Sequence, residues 1–460
     1  MMMYKRLCSF AALLLLVGIG MQAQREVYTS TTPEFTVTLP AQGNGDGRCV
    51  VLVPGGGYNH IAGSHEGKSW IPFFTSQGIS VVVTKYTLPN GDHEKPLGDL
   101  RNTFKYLREH GAEWGINPNG IGIMGFSAGG HLAAAFTNME LGDQRPAFCI
   151  LFYPVVRLDT RQHLNMAKKF LGSDCSMELR KQWSTNQMVS AETPPTLIIA
   201  ADDDPVIETT NSAEYYMQLK KRHVDATMHI YPSGGHGFGF KTSFPYHDNM
   251  TRDVADWLKT VKVPGAHAKK VACIGNSITY GARLKYPHVE GYPAQLQQLL
   301  GDGYWVKNFG ISGSTMQHSE NTFMQKDRWQ HARQFQPDIV FIKLGTNDIK
   351  PSHWKSDEAF TTAYQQMIDT LRALSSKPRI VLCLPATSYR QKDHLDSDIQ
   401  SKAIPLIRQV AKKNKLDVVD LHTPTAGQPE RFPDQLHPDV QGAGIIAKTL
   451  YDYLKKTKDD

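Results

Sequence analysis

The chain has 460 residues, too long for one typical domain and well suited to two. Hydrophobic residues make up 40% and charged residues 20%, which is ordinary globular usage and excludes a mainly disordered, collagen-like or multi-span membrane protein. Fifty lysines and arginines against 44 acidic residues leave a net +6; this is mild for the length, no basic run is dense, and no nucleic-acid partner is expected.

At the start, Lys5 and Arg6 precede an apolar run over 10–19, and Gly20-Met-Gln-Ala23 offers small residues for cleavage. The run is short for a membrane span, so residues 1–24 read as a signal peptide of an exported, periplasmic or secreted protein. No later segment approaches the roughly 18 apolar residues of a span. Beyond Cys8 the five cysteines form an odd and sparse set, and Cys149, Cys273 and Cys383 sit in apolar runs. Buried hydrophobes explain them better than disulfides do. Without a C-x-x-C pair or an H-E-x-x-H run, no metal site and no cofactor is predicted.

Through the rest of the chain, short β-branched runs alternate with amphipathic stretches. In the first half the pattern predicts strands over 49–53, 79–85, 121–125, 149–153, 196–200 and 228–231, with helices over 97–110, 131–139, 212–223 and 250–261. Continuous apolar strands separated by helices imply a parallel sheet covered on both faces. Small and polar residues break the pattern at 263–269, a predicted linker. The alternation then restarts, with strands over 270–275, 306–309, 339–344, 380–385 and 418–421 and helices over 293–300, 359–374, 404–413 and 443–455. Two α/β units are therefore expected, 25–262 and 270–460.

Gly125-Phe-Ser127-Ala-Gly129 follows a predicted strand and precedes a good helix start. Its glycines allow a sharp turn that lifts the serine hydroxyl above the sheet edge. Serine is a weak nucleophile and needs a base. His236, in Gly234-Gly-His236-Gly-Phe, stands on a glycine loop after a strand, and Asp202-Asp-Asp204 ends another. Asp204 is the expected acid, with Asp203 the runner-up. Pro54-Gly-Gly56-Gly57-Tyr58 follows the first apolar strand. The amides of Gly56, Gly57 and Ala128 are the candidate oxyanion donors. The segment 63–69 (Gly-Ser-His-Glu-Gly-Lys-Ser) is similar to a phosphate loop but lacks its leading glycine, so nucleotide binding is set aside. From about Arg48 to Val261 these residues resemble the α/β-hydrolase fold. The resemblance is to the esterase branch with an H-G-G-G-like loop and G-x-S-A-G-G-H, especially bacterial acetyl or feruloyl esterases that act on carbohydrate. Pro54 replaces the histidine of the H-G-G-G loop.

In the second half, Gly275-Asn276-Ser277 again follows an apolar strand. Asn308-Phe-Gly-Ile-Ser-Gly313, Gly-Thr-Asn347-Asp and Asp434-Gln-Leu-His437-Pro come later, each at or beyond a strand end. In this order they resemble the SGNH, or GDSL-type, hydrolases, whose fold is a flavodoxin-like three-layer α/β/α domain. The resemblance implies Ser277 as nucleophile, His437 as base and Asp434 as its orienting acid. It also implies an oxyanion hole made by the Ser277 and Gly313 amides and the Asn347 side chain. Asn276 stands where the family has the aspartate of Gly-Asp-Ser.

Two serine hydrolase units on one exported chain point to a substrate with several esters. Both resemblances imply a carbohydrate esterase removing acetyl, or also feruloyl, groups from a polysaccharide such as xylan. Open alternatives are a sialate or other glycan O-acetylesterase, one catalytic unit beside a carbohydrate-binding pseudo-enzyme, and a serine peptidase. Tyr58, Trp70, Trp305 and Trp354 are candidates to stack on sugar rings, although each reads first as an ordinary core or surface aromatic.

Overall fold

The computed structural model describes residues 24–140, 144–317, 320–390 and 394–457. The expected signal peptide lies outside the described residues except for Gln24. The β-branched runs pair into two separate sheets. The first contains β1 (Arg25–Thr31), β2 (Glu34–Leu39), β3 (Cys49–Val53), β4 (Ser80–Lys85), β5 (Ile121–Phe126), β6 (Cys149–Phe152), β7 (Thr196–Ala201) and β8 (Ala226–Tyr231). Their spatial order is β1-β2-β4-β3-β5-β6-β7-β8. β3 to β8 run parallel, whereas β1 and β2 add an antiparallel edge.

Strand parity divides the core into two layers, because successive side chains point to opposite faces. Val51, Ile123, Leu151 and Ile198 pack beneath the helices Glu94–His110, Ser127–Met139 and Thr209–Lys221. Val50, Met124, Ile150 and Leu197 face the opposite way, onto Trp70, Phe74 and the helix His247–Thr260. All of β3 is buried, as a parallel strand with helices on both sides requires. The edge hairpin was not among the expected strands. In β2 only alternate residues such as Phe35 and Val37 are apolar and buried, so it lacks the continuous apolar run that marks the central strands.

The second sheet holds β9 (Lys269–Gly275), β10 (Tyr304–Gly310), β11 (Ile339–Lys343), β12 (Arg379–Cys383) and β13 (Asp417–Val419), all parallel, in the order β10-β9-β11-β12-β13. This is the flavodoxin-like order. The helices Asp357–Arg372 and Ile404–Asn414 cover one face, over Ile274 and Ile342. Tyr292–Leu300 and Val440–Lys456 cover the other, over Cys273 and Phe341. Strand order reverses at β3 in one sheet and at β9 in the other. In such sheets the crevice for a ligand opens beyond the carboxyl ends of the strands at that point.

The segment between the sheets is tied to the first unit. Asn117 Nδ2 donates to the Pro264 carbonyl at 2.7 Å and Asn119 Nδ2 to that of Gly265 at 2.9 Å. Among the described residues no helix is long and apolar enough to cross a membrane.

Candidate active sites

Ser127 ends the turn out of β5 with φ at 51°, a left-handed backbone that a non-glycine residue adopts only when its surroundings compel it. The surroundings are tight. A Cβ on Gly129 would strike the carbonyls of Val53 and Pro54, and one on Gly125 would strike Gly129 itself. Only glycine permits this strand-to-helix approach, so the serine is pushed out at the start of the helix Ser127–Met139. Its Oγ lies 2.9 Å from His236 Nε2, and His236 Nδ1 lies 2.7 Å from Asp204 Oδ2. Asp204 is buried, and its other oxygen accepts the amides of Val206 and Ile207 at 2.8 and 2.9 Å. The carboxylate is therefore held at both ends. Asp203, the runner-up, instead accepts the Gly235 amide at 2.8 Å. One aspartate meets the imidazole and its neighbour fixes the loop that carries it.

The Pro54–Tyr58 loop faces Ser127 from the end of β3. A Cβ on Gly55 would lie 3.0 Å from that of Ser127. Gly56 and Gly57 have φ of 126° and 60°, and neither amide donates to an acceptor among the described residues. The Ala128 amide sits in the first turn of its helix, where backbone donors have no intrahelical partner. Tyr58 does not reach outward as a sugar platform. It is buried, and its hydroxyl meets His131 Nδ1 at 2.8 Å while His131 Nε2 meets the Trp183 carbonyl at 2.9 Å. Burial pushes His131 down to about 4, so a neutral ring donates to Trp183 and accepts from Tyr58. Trp70 is likewise core. Trp305 and Trp354 are half-buried.

Sequence reasoning passed over two further residues. Glu66 is only 3% exposed. It accepts the Gly55 amide and the Tyr153 hydroxyl, both at 2.8 Å. Tyr153 O in turn accepts the Gly239 amide at 2.9 Å, and its ring packs edge-on against His236 with centroids 4.8 Å apart. One buried carboxylate thus links the glycine loop to the histidine loop. Its segment, 63–69, drew notice only for its similarity to a phosphate loop; a lone acid among glycines and serines carries no pattern of its own.

In the second unit Ser277 opens a short helix directly after β9. Its Oγ lies 2.8 Å from His437 Nε2, and His437 Nδ1 lies 2.7 Å from Asp434 Oδ2. Asp434 Oδ1 also accepts the His437 and Leu436 amides at 2.7 and 3.1 Å. Burial raises the Asp434 carboxyl, but these hydrogen bonds more than offset it and hold it below the usual carboxylate range. Gly313 has φ of 81°, and its amide donates to no acceptor among the described residues. Asn347 Nδ2 donates one hydrogen to the Ser314 carbonyl at 3.0 Å. A carboxamide has two, so the second remains to be offered. Asn276 Oδ1 accepts the Ile278 amide at 3.2 Å and Lys343 Nζ at 3.3 Å. Lys343 is fully buried, and this pushes its ammonium down to about 7.

No group of three or more metal-ligating side chains exists among the described residues. Each site instead has a hydroxyl, a base, an orienting carboxylate and nearby amides, the parts acyl transfer uses. Two family models match the chain: an alpha/beta hydrolase fold over residues 51–240 and a GDSL-like lipase/acylhydrolase family over 273–445. An acetylxylan esterase of Xylanibacter ruminicola is 39% identical over 477 aligned residues, covering 96% of this chain and 98% of the relative. An endo-1,4-beta-xylanase B of Butyrivibrio fibrisolvens is 28% identical over 204 residues, 41% of this chain and 32% of that protein. Among solved structures, an acetyl ester-xyloside bifunctional hydrolase of Caldicellulosiruptor lactoaceticus is 30% identical with a TM-score of 0.47, covering 52% of this chain and 96% of that one. A match spanning nearly the whole of both chains shows the family: the chain belongs to the acetylxylan esterases, carboxylic ester hydrolases built from an α/β-hydrolase domain followed by a GDSL-like domain.

Proposed function

We propose that the chain is an exported esterase with two serine sites, one in each of the units 25–262 and 270–460, that removes acetyl groups from acetylated polysaccharide such as xylan. The observation that carries the reading is the pair of hydrogen-bonded lines, Ser127–His236–Asp204 and Ser277–His437–Asp434, with no spacing above 2.9 Å. The Xylanibacter relative's activity supports the choice of substrate. The charged start of the chain followed by its apolar run supports export.

In each site the serine Oγ attacks the ester carbonyl while the histidine Nε2 takes its proton. The carboxylate on Nδ1 steadies the imidazolium. Negative charge on the former carbonyl oxygen falls to the amides of Gly56, Gly57 and Ala128 in one site. In the other it falls to those of Ser277 and Gly313 and to the free Asn347 hydrogen. The histidine then protonates the departing sugar oxygen, and the acyl group stays on the serine. A water, deprotonated by the same histidine, hydrolyses this ester, releasing acetate and restoring the hydroxyl. A feruloyl ester would follow the same steps.

The test is mass spectrometry of acetylated xylo-oligosaccharides treated with Ser127→Ala, Ser277→Ala and the double variant. Each single variant should lose its own set of products, and the double variant should fall by roughly 10⁴-fold or more, as when a nucleophile is removed. Undiminished turnover in the double variant refutes both sites. A Ser277→Ala enzyme unchanged on acetyl, feruloyl and nitrophenyl esters would make the second unit a binding module.

A further inference from the structure

Between the two units lies a cavity of about 500 Å³, with walls from both. That volume suits a small ligand. Its charge is one-sided. Arg145, Arg222, Lys262, Lys307 and Arg328 line it against a single carboxylate, Glu192. The local excess of four compares with +6 for the whole chain. Like charges gathered in a cleft repel one another and raise the local concentration of anions.

These cations are not equivalent. Arg328 reaches across the units to Glu192 at 3.5 Å and donates to the carbonyls of Asn308 and Gly310 at 3.0 and 3.1 Å. Arg145 Nε is taken by the Glu140 carbonyl at 2.8 Å. Arg222 and Lys262 are exposed, and among the described residues neither makes a side-chain hydrogen bond or ion pair. They supply positive charge that the protein itself does not balance. The half-buried ring of Trp305 lies in the same wall, packed against Phe335 and with the Lys307 ammonium 4.6 Å from its centroid. Aromatic rings pack against the C–H face of a sugar, as cations pair with carboxylates.

We propose that this cavity binds an acidic oligosaccharide, with a uronate carboxylate at Arg222 and Lys262 and a neighbouring sugar on Trp305. The proposal deepens the polysaccharide reading above and rests on it. A phosphate-bearing ligand fits the cations but leaves the aromatic wall without a role. The site also abuts the second catalytic unit. Tyr280, in its wall, ends the short helix that Ser277 opens. Asn308 Nδ2 donates to the Tyr280 carbonyl at 3.4 Å. An occupied cavity therefore bears on the scaffold of Ser277.

The test is calorimetric titration of the full chain with a deacetylated xylo-oligosaccharide carrying one glucuronate and with its neutral counterpart of equal length. The acidic chain should bind about tenfold more tightly at low salt, and the preference should fade as salt screens the pair. In the Arg222→Ala/Lys262→Ala variant the preference should vanish, with melting temperature and hydrolysis of neutral acetylated xylan unchanged. Equal binding of the two oligosaccharides overturns the proposal, as does a preference that survives the double substitution. Displacement by inorganic phosphate at the same concentration would reduce the cavity to a general anion site and overturn the sugar assignment. Because the ligands carry no acetyl group, these outcomes stand apart from failure of the esterase reading, which appears only as lost hydrolysis of acetylated xylan.

Discussion

Glu66 shows how much of a serine site can depend on a buried carboxylate outside its hydrogen-bonded line. Its two oxygens accept the Gly55 amide and the Tyr153 hydroxyl, and Tyr153 accepts the Gly239 amide beyond. Glu66→Gln keeps the volume but leaves one oxygen for two donors. An unpaired buried donor costs about 1–3 kcal/mol. Spent on displacing the glycine loop or the histidine loop, that is on the order of ten- to a hundredfold in rate. We expect kcat at the first site, measured in the Ser277→Ala background, to fall by that amount while the Ser277 activity in the Ser127→Ala background stays level. Unaltered first-site kinetics would reduce Glu66 to a packing residue. Tyr153→Phe should share the effect, since it breaks the same bridge at its other end.

At the scale of elements, the central strands were legible and the supports between them were not. Parallel strands buried on both faces must be apolar throughout, which is why β3, β5 and β7 stand out in the sequence. Ser127, His236 and Ser277 were legible because glycines bracket them where the chain turns hardest, whereas His437, in Asp434-Gln-Leu-His437-Pro, was legible only through the order of the motifs around it. The β1–β2 hairpin was missed because one of its faces is solvated, and Glu66 because its partners come from segments far apart in sequence. Lys343 was missed differently. It closes β11 and looks like an ordinary polar strand end, yet it is wholly buried. This burial predicts a pH effect on the strand. The folded chain releases the Lys343 proton near pH 7, whereas the unfolded chain holds it to about 10.4. Between those values the unfolded state binds more protons, so the Lys343 contribution to stability rises with pH. Chemical denaturation of Lys343→Met should show that rise flattened between pH 7 and 10, with a gain in stability at pH 6. A variant with the same profile as the parent would contradict the buried-amine account.

For the whole molecule, the question is what keeps two complete units in one arrangement. The linker is not loose cord. Asn117 and Asn119, on the loop before β5, hold the Pro264 and Gly265 carbonyls, and Arg328 meets Glu192 across the divide. The Arg328 and Glu192 side chains are only 16% and 15% exposed, so this pair adds to the tether that the two asparagine hydrogen bonds make. Asn117→Ala/Asn119→Ala should open the linker to protease several-fold faster at native temperature while ester hydrolysis persists. Cleavage at the parent rate would show that other contacts fix the linker.

The two relays are built on different spans of chain. In the first, acid and base come from separate loops 32 residues apart; in the second they are 3 residues apart on one loop. On the proposed two-site reading, gentle warming should therefore silence the relays at different points: the long-span relay when either of its loops drifts, the short-span relay only when its shared loop lifts away from Ser277. A polymer treated near that threshold would then keep one class of ester and lose the other, so temperature alone would sort which decorations each proposed site removes.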